Sequence, residues 1–195
     1  MKCLILLSGW AGSGKDAAAA VLTATYGFQR FAFADPLKVA VAAATGLPAA
    51  AFERPLKDRP LSASDPRTPR DLLIAHADAA RALDPDIYSK AIVADILASG
   101  TRRAVISDWR YRREGAVVSE ALAAAGWQIL RIRIERPGVT PSTAPIEHDL
   151  DTAEMDGRLQ NNGTLTDLAQ KVQLQLMPLL SCSEHTTHPP NLCRS

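Results

Sequence analysis

The stretch Gly9-Trp10-Ala11-Gly12-Ser13-Gly14-Lys15-Asp16 is the part of this 195-residue chain whose residue types and spacing point most directly to chemistry. Its glycines let the backbone curl until successive N–H groups face one point, an arrangement that suits an anion. Lys15 follows at the distance where an ammonium reaches the same anion, and a helix starting there adds the positive end of its dipole. This is the spacing of a loop that cradles nucleotide phosphates, with Lys15 on the β- and γ-phosphates. Asp16 stands where a Ser or Thr hydroxyl usually meets Mg2+. A carboxylate also suits that hard cation, or else simply favours the first turn of a helix. Trp10, inside the loop, either covers a phosphate or ligand or packs against the protein.

Two further carboxylates fall at expected strand ends, on the side where a doubly wound sheet binds ligands. Asp108 ends the run Ala104-Val105-Ile106-Ser107 and reads either as a holder of the Mg2+ water shell or as a helix cap. Asp35 follows Phe31-Ala32-Phe33-Ala34. It is a candidate general base for an alcohol acceptor, which holds its proton, or a cap before Pro36. Lys38, Arg70, Arg110 and Arg113 are candidate phosphate clamps, the arginines through their bidentate fork; surface charge is the plain alternative for each. Residues 102–136 hold eight arginines against four acids, and 147–156 hold five acids and no base. The first stretch, with Arg112 and Arg113, reads as a track for phosphates, a DNA backbone included.

The elements needed to position these groups are legible as alternating strands and helices. Cys3 to Leu7 reads as a buried strand and Asp16 to Tyr26 as a helix. Phe28 to Phe33 alternates like a second strand, and Pro36 opens a helix that closes near Gly46. Residues 47–67 form an irregular excursion with four prolines. Thr68-Pro69 starts another helix, and Asp84-Pro85 repeats that signal before a helix over 86–98. A third strand covers Ala104 to Ser107, a helix 110–125, and a strand Trp127 to Ile134 in which Ile and Leu alternate with Arg. Residues 137–150 read as a possible lid loop, Leu159 to Asn161 as a short last strand, and Thr164 to Leu176 as an amphipathic helix. One kinase-sized domain over 1–178 and a loosely held tail over 179–195 follow. Alternating strands and helices imply a parallel sheet covered on both faces.

Composition narrows the class. The chain is 47% hydrophobic and 22% charged, with a formal charge of +1, so no global field draws it to nucleic acid or a membrane. Cys3, Cys182 and Cys193 form no CxxC pair, and their odd number argues against a disulfide framework, so a reducing cytoplasm is the expected compartment. No run approaches the ~20 apolar residues of a membrane span.

Ser8-Gly9-x-x-Gly12-Ser13-Gly14-Lys15-Asp16 resembles the loop of phage deoxynucleoside monophosphate kinases and of animal-type phosphomevalonate kinases. Further motifs resemble the phage group in the same order: Phe33-Ala34-Asp35-Pro36-Leu37-Lys38, Thr68-Pro69-Arg70-Asp71-Leu72-Leu73, Ile106-Ser107-Asp108-x-Arg110, Arg136-Pro137-Gly138 and Asn162-Gly163-Thr164-Leu165. The similarity covers roughly residues 1–175. It implies an α/β P-loop NTPase fold of the nucleotide-kinase type, with a five-stranded parallel sheet and helices on both faces. It implies ATP on Gly9, Trp10, Ala11, Gly12, Ser13, Gly14, Lys15 and Asp16, and Mg2+ near Asp16 and Asp108. Asp108 and Arg110 would lie by the metal and the acceptor, and the turn Asn161 to Gly163 would border the adenine. The family's His-x-Ser-Glu element has only Glu147-His148-Asp149 as a counterpart, without the Ser and the Glu.

Three readings of the acceptor follow. The favoured one is the hydroxymethyl group of 5-hydroxymethyluracil within phage DNA, because related phage kinases act in thymine hypermodification, Asp35 supplies a base, and loop 137–150 has no arginine. The second is a free deoxynucleoside monophosphate. The third, of another class, is a non-catalytic nucleotide-binding switch.

Overall fold

The computed structural model describes residues 1–53, 55–143 and 147–181, and its frame is a five-stranded sheet in the order β2-β3-β1-β4-β5, every pairing parallel. The strands are β1 (Lys2–Ser8), β2 (Gln29–Phe31), β3 (Arg103–Ile106), β4 (Trp127–Glu135) and β5 (Gly157–Gln160). The helices are α1 (Lys15–Tyr26), α2 (Ala34–Thr45), α3 (Pro69–Leu83), α4 (Ile87–Ala98), α5 (Arg112–Ala124), α6 (Leu165–Lys171) and α7 (Met177–Ser181). The alternation of side chains along β1 builds both cores at once. Cys3, Ile5 and Leu7 face a layer with Leu22 of α1 and Leu168 of α6, and Leu4 and Leu6 face Ile92, Ile96, Val118 and Leu122 of α4 and α5. Such a strand, buried on both faces, reads as the unbroken apolar run seen in the sequence.

After β1 the chain crosses through α1 to the far strand β2, returns to β3 beside β1, and then crosses through α5 to β4 on the other side. The crossovers leave β1 and β3 in opposite directions, so a crevice opens between their carboxyl ends, where Gly9 and Ser107 begin their loops.

Several expectations hold and others are displaced for physical reasons. Thr68 caps α3 in a reciprocal box with Asp71, and Pro69 takes the first helical position. The helix expected to open at Pro36 starts at Ala34 instead. Asp108 supplies the missing cap from another part of the chain, its carboxylate accepting the N–H groups of Phe33 (2.8 Å) and Ala34 (3.0 Å). The excursion over 47–67 is anchored rather than loose. It forms two short 3-10 turns, Ala49–Phe52 and Leu56–Asp58, and Phe52 is fully buried against Leu37, Val41, Ala77 and Tyr88.

The last helix runs past the expected boundary near residue 178. Pro178 has no N–H to give, and the chain passes it through a wider π turn (Val172–Leu176) into α7, where Leu180 is buried. Gln128 also donates to the Leu179 carbonyl, so 179–181, assigned to the tail by composition, belong to the packed body. The rest of that tail, 182–195, lies outside the described residues, as do Cys182 and Cys193. Among the described residues no helix is long and apolar enough to cross a membrane.

Trp109 locks the segment after β3. Its ring is buried, its indole N–H donates to the Tyr111 carbonyl at 2.7 Å, and a Cβ placed on Gly115 of α5 would fall 2.6 Å from three ring atoms. Gly115→Ala is therefore expected to lower unfolding stability in urea by about 1–3 kcal/mol, the usual cost of overpacking. Because Asp108 and Arg110 flank the displaced ring, phosphate binding should weaken with it in calorimetry. An unchanged urea midpoint would show that the ring has room to move.

Candidate active site

The loop between β1 and α1 is shaped by close approach of backbone to its neighbours. Gly9, Gly12 and Gly14 all have positive φ (138°, 83° and 102°), which side-chain-bearing residues rarely adopt. At Gly9 a Cβ would sit 2.3 Å from the Ile134 carbonyl oxygen, and at Gly14 it would sit 2.2 Å from the Asn161 amide nitrogen. Gly12 meets nothing, so its need is conformational alone. Asn161 is buried, donates from Nδ2 to the Ser13 carbonyl (2.9 Å), and is tied to Glu135 through its own N–H (2.7 Å). The loop is thereby pinned to the ends of β4 and β5.

Lys15 curls back over this loop, its Nζ donating to the carbonyls of Gly9 (2.6 Å) and Trp10 (3.0 Å). Burial, and then the Arg110 guanidinium, lower its pKa to about 8, against the opposite pull of Glu147, Asp16 and Asp108. Those four charged groups thus converge on one ammonium.

Lys15, Asp16, Asp108 and Arg110 also line one cleft of about 560 Å3 at the crevice between β1 and β3, together with Ala11, Gly12, Gly14, Arg30, Lys38 and Lys57. The Asp108 carboxyl is pushed up by burial and by the nearby Asp35, and partly held down by the two amides it caps. A second cavity, of about 520 Å3, opens on the other side of the loop, lined by Trp10, Ser13, Ile134, Arg136, Pro137 and Gln160 among others. Trp10 stands at its edge, with the Arg133 guanidinium 5.5 Å from the ring centroid and its indole N–H donating to Asp151 (3.2 Å).

Not every sequence-selected residue reaches the cleft. Asp35 sits at its rim, paired loosely with Arg30 (3.6 Å) and Lys38 (3.8 Å), and Lys38 itself holds Glu53 at 2.6 Å. Arg70 is paired with Asp58, and Arg113 makes a two-pronged contact with Asp86 (2.6 and 3.0 Å). Arg112 binds the Asp149 carbonyl and Thr152. Of the expected arginine track, Arg110 and Arg113 are thus turned onto the protein's own acids and Arg112 onto a carbonyl and a hydroxyl. Asn161 and Gly163 do not border the second cavity either. Asn161 props the loop, and Gly163 lies against Asp167, which caps α6.

Two residues escaped the sequence reading. Arg30, on β2, lines the cleft and donates from Nε to Ser107 Oγ (3.1 Å). Only the strand order, which sets β2 beside β3, brings it there; the alternation around Phe31 shows a strand but not its neighbour. Glu147 accepts from Arg110 (2.7 Å) and from the Ala11 N–H (2.9 Å). The sequence places it only in the acidic stretch and in Glu147-His148-Asp149 of the possible lid loop, without a role of its own.

For Mg2+ the donor set fits a shared site and not a protein cage. No group of three metal-ligating side chains exists among the described residues. Mg2+ is commonly held by one or two carboxylates with phosphate oxygens and water, and Asp16 is exposed in the cleft, with the partly occupied Asp108 as a second, outer contact.

No protein-family model matches the chain, and no curated protein matches it in sequence. Solved structures do resemble it. TT1252 from Thermus thermophilus is 16% identical, with a TM-score of 0.50, covering 91% of this chain and 98% of that one. The APS kinase CysC of Mycobacterium tuberculosis with AMPPNP and APS is 15% identical, with a TM-score of 0.49 and coverage of 92% and 98%. Dephospho-CoA kinase from Campylobacter jejuni is 15% identical, with a TM-score of 0.48 and coverage of 93% and 98%. At such identities the likeness concerns fold alone, an α/β fold with a five-stranded parallel sheet.

The lowered pKa of Lys15 gives a pH signature. An ammonium attracts an anion only while protonated, and a depressed pKa means that the proton leaves earlier as pH rises. Affinity for ATP should hold below pH 8 and fall above about 8, approaching a tenfold loss per pH unit, in calorimetric titrations. Arg110→Ala should move that onset upward, because the guanidinium is the second cause of the depression. Lys15→Met should abolish the pH dependence; a dependence that survives it belongs to another group.

Proposed function

We propose that the protein is an ATP-dependent kinase that moves the γ-phosphate onto a small deoxynucleotide-like acceptor which itself carries a phosphate. The observation that carries this reading is the single cleft in which the loop, Lys15, Asp16, Asp108 and Arg110 adjoin Arg30, Lys38 and Lys57. The loop amides and Lys15 have the form of a β/γ-phosphate seat. The cavity of about 520 Å3 beyond Trp10 is of a size that accepts the nucleoside half of ATP. In-line transfer then needs positioning and charge neutralisation more than covalent chemistry. Arg110 is placed at the junction of the loop and the cleft to neutralise the moving phosphoryl group. Arg30 is placed to hold the acceptor's own phosphate. Mg2+, when bound, would neutralise the phosphates from the Asp16 side.

A monophosphate acceptor is already ionised near neutral pH and needs no base. That agrees with Asp35, whose carboxylate faces Arg30 and Lys38 at the rim. The DNA-embedded 5-hydroxymethyluracil reading asked for a free base at Asp35 and a free track at Arg112 and Arg113. The loose ion pairs of Asp35, the bonds of Arg112 to the Asp149 carbonyl and Thr152, and the ion pair of Arg113 with Asp86 weigh against it. The geometry therefore shifts the preferred acceptor to a free deoxynucleoside monophosphate.

The test is incubation with γ-labelled ATP and a panel of dNMPs, hydroxymethyluracil DNA and plain DNA. Label should appear in one or more dNMPs. Lys15→Ala should abolish it while the protein still unfolds in one cooperative transition, and Arg30→Ala should raise the acceptor KM by about tenfold or more, the scale of one lost charge-assisted contact. Label confined to hydroxymethyluracil DNA would reverse the acceptor assignment, and ATP binding with no label anywhere would indicate a switch.

A further inference from the structure

Glu147 occupies the place on the loop that an anionic ligand would need. Its side chain is only 8% exposed, one carboxylate oxygen accepts the Ala11 N–H at 2.9 Å, and the other accepts Arg110 at 2.7 Å. A loop amide and a guanidinium are the donors a terminal phosphoryl oxygen would take, and a carboxylate meets them with the same acceptor geometry. The single Ala11 N–H cannot serve two anions at once.

The carboxylate is also held there by its neighbours. Asp149 accepts the Arg112 N–H (2.7 Å), and Asp151 accepts from Arg133 (2.7 Å) and from the Trp10 indole (3.2 Å). His148 lies between Asp151 and the Ser142 carbonyl (2.8 and 2.9 Å). With residues 148–151 fastened to α5, β4 and the loop, Glu147 is presented to Ala11 and Arg110 at high effective concentration.

We propose that Glu147 is an intramolecular competitor for the terminal phosphoryl group of the nucleotide and so sets the relative affinity for tri- and diphosphates. A triphosphate has to displace the carboxylate from Ala11 and Arg110. A diphosphate lacks the group that would collide with it and binds with Glu147 in place. After transfer the vacated position is taken again by Glu147, which keeps Arg110 and the Ala11 amide paired while the diphosphate is still bound. The inference rests on the phosphate seat assigned to the loop and Lys15.

The test compares AMPPNP and ADP by calorimetry on the wild type, Glu147→Gln and Glu147→Ala, with melting temperatures to confirm folding. Gln keeps the size and removes the charge; Ala removes the acceptor as well. Both variants should bind AMPPNP about tenfold more tightly, the scale of one displaced charged hydrogen bond, and ADP within about twofold of wild type. Equal changes for the two nucleotides would overturn the proposal, since a general loosening does not distinguish them. Weaker AMPPNP binding would overturn it too, by showing that Glu147 supports the ligand. If the wild type binds neither nucleotide, the phosphate seat itself is wrong and the proposal falls with it.

Discussion

The close approach of the Gly9–Gly14 backbone to the Ile134 carbonyl and the Asn161 amide is the constraint on which the rest of the site depends. No side chain fits at Gly9 or Gly14, and the positive φ of these residues turns the chain from β1 into α1 within a few residues. The turn needs a rigid floor. β4 and β5 provide it, because Asn161 ties its N–H to Glu135 and its amide to Ser13. Sheet register and loop shape are therefore one problem. A slip of β5 against β4 would move Asn161 away from Ser13 and leave a buried carbonyl without its donor, a loss of about 1–3 kcal/mol.

A second organising feature is the pairing of the Arg-rich stretch with the acidic stretch. Arg110 pairs with Glu147, Arg133 with Asp151 and Arg131 with Asp156, while Arg112 and Asp149 are joined through each other's backbone. The exposed pairs, such as Arg131 with Asp156, contribute at most about 1 kcal/mol each. Arg133 is different, since its side chain is 7% exposed and its loss of partners would leave a charge in the core. Strand β4 can carry Arg on alternate positions through a covered face only because 147–156 lies along it. The same pairing consumes the charges that would otherwise attract a polyanion, which agrees with the net charge of +1.

What the sequence made legible was local. The Gly-rich loop, the apolar β1 and the Thr68-Pro69 start of α3 each announce themselves within a few residues, through φ requirements, burial on both faces and a cap. Most of the missed features depend on contacts across long stretches of chain. The start of α2 is set by Asp108, 74 residues from Ala34. Arg30 enters the cleft through strand order, and Asn161 reaches under the loop from 148 residues away. The end of the last helix failed for another reason. A proline ordinarily stops a helix, and here a π turn absorbs the missing hydrogen bond, which composition does not reveal.

Four charged groups of the cleft hold partners within the chain, and that bears on how it would bind. Lys15 donates to two loop carbonyls, Arg110 to Glu147, Arg30 to Ser107, and Asp108 accepts two amides. A half-buried cation with no partner would cost several kcal/mol in desolvation, so such partners are what allow the site to stay assembled without ligand. Binding then exchanges one set of hydrogen bonds for another and gains only their difference. Lys15 and Arg110 hold acceptors of unequal strength, neutral carbonyls for the first and a carboxylate for the second. Neutral carbonyls yield readily to an anion, whereas a carboxylate yields only to a group of comparable charge. The loop is thus graded along its length, with neutral acceptors on Lys15 and a charged one on the Ala11 amide and Arg110.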